Sequence, residues 1–281
     1  MSTSLPFTNH LKTSIRKRVI GLFNDTERGQ APVVRSQDAL FEPGSVVWRV
    51  HGDVGSMMVG GITSLLLQML HPAVLAGVWD HSNFRQDMHG RLRRTARFIS
   101  ATTYGERQAA QAAIATVRRV HDHVAGTLPD GTPYSANDPA LLAWVHVTET
   151  SSFLDAWIRY GEPMMSLADQ DRYFAQVAVV GEALGADPVP RSRADAQAII
   201  ARMRPQLKVD ARTQEVASLI LQGQGAPQIG ELPRKLAMQA AIDLLPEWAR
   251  KMHGFALSPL ERPIVRAGTF GVAQTLRWAF R

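Results

Sequence analysis

Apolar residues recur along most of this chain at the three- and four-residue spacing of amphipathic helices, without an alternating strand series. Asp138-Pro139 predicts the start of a helix that runs to about Gly161. Ser166 predicts the start of the next helix, and Gly185 predicts its end. Residues 127–139 read as a loop with an Asp-Gly turn. The pattern predicts an all-α fold, a single-domain multi-helix bundle with a buried central helix.

The central helix is predicted from Val54–Trp79, which contains no Asp, Glu, Lys or Arg. By length alone this segment could span a bilayer, but Gly60-Gly61 and His71-Pro72 interrupt it. We therefore expect a fully buried helix, a break before Pro72 and a second buried segment. The small residues of this helix would let a flat or bulky group approach the backbone closely.

Two basic terminal segments are predicted from the charge pattern: an amphipathic segment at 1–39 and a C-terminal helix at 261–281. The first segment has no continuous apolar stretch typical of a secretory signal. It can dock as a terminal helix or lie on an anionic membrane. We expect a cytoplasmic protein whose basic termini allow peripheral membrane contact.

Composition excludes several classes of site. The 281 residues carry a net charge of +6 and include no cysteine, which excludes disulfides, thiolate zinc sites and iron–sulfur clusters. Motifs of metalloproteases, serine esterases, P-loop proteins, di-iron carboxylate proteins and dinucleotide-binding proteins are absent. No nucleic-acid-binding signature is present, so we expect no nucleic-acid partner.

Two histidines close together, His121 and His123, follow an arginine at position 118. On a helix their side chains point roughly 200° apart, so they cannot both reach one metal ion. Arg118 lies three residues before His121 and shares its face. The pattern leaves a metal ligand, a haem ligand and a surface imidazole open for His121.

Further polar residues interrupt apolar helices. Arg91, Arg94 and Thr95 form one polar stripe, which is either a solvated face or a site for an anionic ligand. His146 lies among apolar residues and is either a core histidine, bonded to a carbonyl or to Glu149, or part of a site. His71, which precedes Pro72, is expected to cap or end a buried helix.

Several segments together resemble the DUF2236 family, which includes the latex-clearing protein, a rubber oxygenase, and the MpaB-type oxygenases. The resemblance covers roughly residues 40–260, and its strongest motifs lie between His71 and Phe153. The segments are HPAVLAGVWDHSNFRQD, RLRRTARF, VRRVHDHVAG and DGTPYSANDPALLAWVHVTETSSFL. The resemblance implies an all-α haem b protein with a histidine as proximal iron ligand.

The family's ligand histidine occurs in a V-H-x-x-V-x-G context, which implies that His121 binds iron and that His123 points outward. The family's R-x-x-[KR]-T motif implies a catalytic, distal-side role for three residues. These are Arg91, Arg94 and Thr95. The resemblance also implies a cofactor-binding set around the haem. This set is His121, Arg118, His146, Thr148 and His71.

The chain departs from the latex-clearing protein at two points. That protein has an iron-binding lysine where this chain has Arg94, and an arginine is a poor iron ligand because it stays charged. We therefore expect an open or water-occupied distal side. The catalytic glutamate of rubber oxygenases has no counterpart in Val54–Trp79, and Asp80 is the substitute candidate, which argues against polymer cleavage.

The resemblance thus implies a haem b-dependent oxygenase that uses O₂ to oxidise, or to cleave at a C=C bond, an apolar isoprenoid- or lipid-like substrate. The three distal residues would orient the bound oxygen, and the apolar helices would form the substrate tunnel. The alternative is a helical protein, with or without haem, that has no oxygenase turnover, such as a carrier, a sensor or a membrane-peripheral protein.

Overall fold

The computed structural model describes residues 6–222 and 230–281. This part of the chain is mainly helical with one two-stranded sheet, so the predicted all-α single-domain fold is confirmed. The helices are α1 (Pro6–Phe23), α2 (Val46–His51), α3 (Val54–Gln68), α4 (Pro72–His81), α5 (Met88–Tyr104), α6 (Arg107–His121), α7 (Pro139–Tyr160), α8 (Leu167–Leu184), α9 (Arg193–Met203), α10 (Ala211–Gln222), α11 (Glu231–Leu244), α12 (Glu247–His253) and α13 (Glu261–Phe280). Short 3₁₀ helices cover Thr26–Arg28 and Arg204–Gln206, and the strands are β1 (Ala125–Thr127) and β2 (Pro133–Ser135).

Helix ends follow the predicted signals. The Asp138 carboxylate accepts a hydrogen bond from the Ala140 amide at 2.8 Å and so caps α7, which ends at Gly161. Ser166 caps α8, and Gly185 ends it in the left-handed conformation, with φ +99°. These predicted boundaries are confirmed.

The break before Pro72 is also confirmed. The Ala73 amide donates to Nδ1 of His71 at 3.3 Å, which caps α4, and the axes of α3 and α4 meet at 103°. Among the described residues, no single helix is long and apolar enough to cross a membrane, although α3 and α4 taken together as a bent pair have the required length and composition.

The bundle is built around α3 and α7, which pack on each other more extensively than any other pair of helices. Gly60 lies at their closest approach: a Cβ there would be 2.8 Å from the Ser152 carbonyl oxygen and 3.0 Å from Cα of Phe153. A Cβ at Gly61 would have Cε1 of Phe153 as its nearest neighbour, at 3.8 Å. Only the first of the two glycines is therefore required by the crossing.

The C-terminal helix α13 packs on this centre, and the N-terminal helix α1 packs on α13 and α5. α11 contacts α3, α13 contacts α11, and α1 contacts α13. Asp243, whose side chain is fully buried, pairs with Arg266 of α13 at 2.7 Å, and Asp53 pairs with Arg277 of α13 at 2.6 Å. The proposed division at residues 39 and 260 stays a prediction.

The predicted loop at 127–139 was wrong in part. β1 and β2 form a short antiparallel hairpin in which Gly126 is opposite Tyr134, and Gly131 occupies the turn with φ +88°. Strands of three residues are too short to produce a recognisable alternating pattern, so the sequence signal shows the turn alone.

We expect Gly60→Ala to lower the free energy of unfolding by about 1–3 kcal/mol, because backbone atoms of α7 cannot move aside for the added methyl group. Gly61→Ala is the matched control and should be neutral or stabilising by roughly 0.5–1 kcal/mol, as alanine favours the helix. Urea unfolding followed by circular dichroism measures both. Equal effects of the two substitutions would contradict this account of the crossing.

Candidate functional site

A cavity of about 1060 Å³ lies inside the bundle, bordered by α3 to α8 with contributions from α1, α2, α10 and α11. Its wall is mostly apolar, and its volume is at the upper end of the roughly 300–1,000 Å³ typical of small-molecule sites. A small set of ionisable side chains lines it. The set includes His51, Arg91, Arg94, His121, His146 and Glu149.

His121 reaches the cavity from the last residue of α6. Ala110 and Ile114 of the same helix are buried, and His121 continues their face at helical spacing. The ring is half-buried, and burial lowers its pKa, so the imidazole is neutral at physiological pH. Its Nδ1 is buried without a hydrogen-bond partner. His123 is exposed and does not line the cavity.

Three residues of the predicted cofactor-binding set do not line the cavity. Arg118 is exposed and donates to the Ala183 carbonyl at 3.2 Å, near the C-terminal end of α8. Thr148 is fully buried and donates to the Trp144 carbonyl within α7. His71 caps α4, as described above. All three residues bond to the protein's own backbone instead of facing the cavity.

The predicted catalytic stripe is divided between two environments. Arg91 lines the cavity in a shielded position, and burial lowers the pKa of its guanidinium. Arg94 and Thr95 also border the cavity but are exposed. Arg94 lies 3.5 Å from Asp87, and the Thr95 hydroxyl donates to the Arg91 carbonyl at 3.3 Å.

His146 lies in the core, where burial lowers its pKa to about 4. Its Nε2 has no hydrogen-bond partner, and the ring packs on α8, where a Cβ at Gly181 would lie 3.0 Å from this nitrogen. The hydrogen bond to Glu149 that the sequence suggested as one alternative is not formed. Gly181 provides the space that this ring needs.

Glu149 is the acidic residue of the cavity, and the sequence did not single it out as a site residue. It lies one turn after His146 on α7, has no ion-pair or hydrogen-bond partner in the described structure, and burial raises its pKa to about 7. The sequence did contain a signal for this residue, because Glu149 is a single glutamate on the helix face that carries Leu142, His146 and Phe153. Asp80, the substitute candidate, is exposed and accepts a hydrogen bond from Tyr134 at 2.8 Å.

His51 was also missed. Its Nδ1 lies 2.8 Å from Oγ1 of Thr103, and its Nε2 lies 2.9 Å from the Tyr173 hydroxyl. Burial lowers its pKa to about 3, so the ring is neutral and both nitrogens are satisfied. His51 therefore forms a fixed polar wall of the cavity and has no free nitrogen for a ligand.

The donors in the cavity suit haem better than a bare metal ion. Within the two described stretches, no group of three or more His, Asp or Glu side chains could hold a metal ion. Haem needs only one nitrogen from the protein, since the porphyrin supplies the others. The neutral, unpartnered imidazole of His121 beside a large apolar space meets that requirement.

We expect Glu149→Gln to stabilise the protein at pH 8 but hardly at pH 5. A folded-state pKa of about 7 exceeds the ordinary value of 4.5, so native Glu149 keeps its proton where the unfolded chain has lost it. Stability therefore falls as the pH rises from 4.5 to 7, by about 3 kcal/mol in total at 1.36 kcal/mol per pH unit.

Urea unfolding at the two pH values measures this difference. Glu42→Gln is the control, because this glutamate is exposed and makes no ion pair among the described residues, and it should have little effect at either pH. A Glu149→Gln effect that is equal at pH 5 and pH 8 would show that Glu149 does not titrate abnormally in the folded protein.

Comparison with known proteins assigns the chain to a family. Neither the curated proteins nor the solved structures include a significant match. Residues 48–278 match the family described as the catalytic domain of the ER-bound oxygenases mpaB/B′ and rubber oxygenase. This match includes every helix from α3 to α12 and all the ionisable residues that line the cavity. The chain therefore belongs to the mpaB/rubber oxygenase catalytic-domain family.

Proposed function

We propose that this protein is a haem b-dependent oxygenase that uses O₂ to oxidise, or to cleave at a C=C bond, an apolar isoprenoid- or lipid-like substrate. Membership of an oxygenase family supports the reaction class. The observation that carries the proposal is the large apolar cavity with a neutral, unpartnered histidine, His121, in its wall.

The residues around the cavity would divide the work as follows. His121 would bind the haem iron, and bound haem would supply a centre able to bind and activate O₂. The apolar side chains of α3 and α5 would hold the substrate and exclude water. These apolar side chains include Met57, Leu65 and Phe98.

Two ionisable groups would set the polarity of this space. Glu149 would hold a proton on its carboxyl below about pH 7 and so keep its own part of the wall uncharged for an apolar substrate. Arg94 and Thr95 would meet polar groups where the cavity borders solvent.

We also propose that the basic helices α1 and α13 make peripheral contact with a membrane, which would bring the protein to lipid-soluble substrates.

Cofactor binding is tested with protein expressed with added haem. We expect the wild type to show a Soret absorption band. In His121→Ala this band should be lost, or the haem affinity should fall about tenfold or more, because a ligand bond to the iron is lost. His123→Ala removes the exposed neighbour and should leave the band unchanged. A Soret band of unchanged intensity and an unchanged haem affinity in His121→Ala would exclude this residue as the ligand.

Turnover is tested separately, by oxygen consumption with squalene, an apolar isoprenoid, and with oleate, an unsaturated lipid. We expect O₂ uptake coupled to an oxygenated or cleaved product detected by mass spectrometry. Haem binding without uptake on either substrate or on a broader lipid extract would contradict the oxygenase proposal and favour a carrier or sensor.

A further inference from the structure

The charged side chains that line the cavity are predominantly cationic. Four arginines contribute to its wall, whereas Glu149 is the one acidic residue among the lining side chains of the described chain. The arginines are Arg91, Arg93, Arg94 and Arg234. Such a cavity is complementary to a ligand that carries negative charge.

Arg91 differs from the other three because it has no partner. Arg93 pairs with Asp25 at 3.2 Å, Arg94 lies 3.5 Å from Asp87, and Arg234 donates to the Gln222 carbonyl. No ion pair or side-chain hydrogen bond joins Arg91 to any residue in the described ranges. It is also the one arginine there whose pKa burial lowers.

Glu149 does not act as the missing counter-ion. The pKa shift of Arg91 is caused by burial and by the nearby Arg94, and that of Glu149 is caused by burial alone. No ion pair or hydrogen bond joins these two side chains in the described part of the chain.

A shielded guanidinium without an anion is unfavourable, and arginine cannot relieve this by losing its proton. Histidine and glutamate can do so, and the His146 and Glu149 pKa values shift in the direction of the neutral form. Among these groups Arg91 alone keeps its charge, so it is the group that a negatively charged ligand in the cavity would neutralise. A planar guanidinium binds a carboxylate through two parallel hydrogen bonds.

We propose that Arg91 binds a carboxylate of the molecule that occupies the cavity, so that the occupant is apolar with an acidic end. The carboxylate comes from one of two sources: a propionate of haem, or the acid group of a substrate such as a fatty acid. The haem source rests on the function proposed above, whereas the substrate source does not require haem to be bound.

The test compares acids with their uncharged esters. Haem and haem dimethyl ester are titrated by absorbance, and oleate and methyl oleate by isothermal calorimetry. The proteins are the wild type, Arg91→Gln and, as the matched control, Arg97→Gln, which lies on the same helix, donates to the Ala31 carbonyl and does not line the cavity. For at least one pair, we expect the wild type to bind the acid about tenfold or more tightly than the ester, as charged hydrogen bonds are lost in the ester.

This preference should disappear in Arg91→Gln and persist in Arg97→Gln. A preference limited to haem identifies the propionate as the partner, and one limited to oleate identifies the substrate. Circular dichroism checks the folding of each variant. If Arg91→Gln does not fold, Arg91→Lys serves, since it keeps the charge but loses the paired geometry and should reduce the preference.

Equal binding of acid and ester by the wild type in both pairs would overturn the proposal, as would an unchanged preference in the Arg91 variant. Failure of the oxygenase proposal has a different signature, namely absence of haem binding or O₂ uptake. In that case the oleate pair alone decides whether Arg91 binds a carboxylate.

Discussion

The structure depends on keeping two central helices in backbone contact while a large cavity stays open beside them. Gly60 makes this possible because α3 and α7 approach too closely there for any side chain. The next residue, Gly61, lines the cavity instead. Consecutive glycines therefore serve different surfaces of one helix. The close crossing in turn fixes the face of α7 that carries His146 and Glu149.

Burial then determines the chemistry of the groups around the cavity. The imidazoles of His51, His121 and His146 respond to low polarity by staying neutral, which is the form that can bind a metal. The three differ in their contacts: His51 is fully hydrogen-bonded, and His146 packs against Gly181. His121 combines neutrality, access to the cavity and a free nitrogen, whereas the unpartnered Nε2 of His146 lies against Gly181 of α8. Position in the fold thus separates one candidate ligand from two structural histidines.

Much of the fold follows from local signals in the sequence. The caps at Asp138 and Ser166, the stop at Gly185 and the break before Pro72 each depend on neighbouring residues, so they could be predicted without knowledge of the tertiary structure. The β1–β2 hairpin could not, because its strands are shorter than a periodic pattern requires.

The site was predictable only in part. Helical spacing shows which residues share a face, but not whether that face meets a cavity, a neighbouring helix or solvent. Arg118 and His121 share a face in the pattern, yet one contacts the end of α8 and the other reaches the cavity. Glu149 was missed for the same reason: its importance comes from the absence of a partner across the bundle, which the sequence of α7 does not record.

The central claim is that His121 holds an iron porphyrin inside this cavity. A crystal structure of the haem-loaded protein, with anomalous diffraction recorded at the iron edge, tests it most directly. The account predicts one iron peak within bonding distance of a His121 ring nitrogen, with the porphyrin lying between α3, α5 and α6. An iron peak at His146, at the exposed His123 or elsewhere on the surface would contradict it.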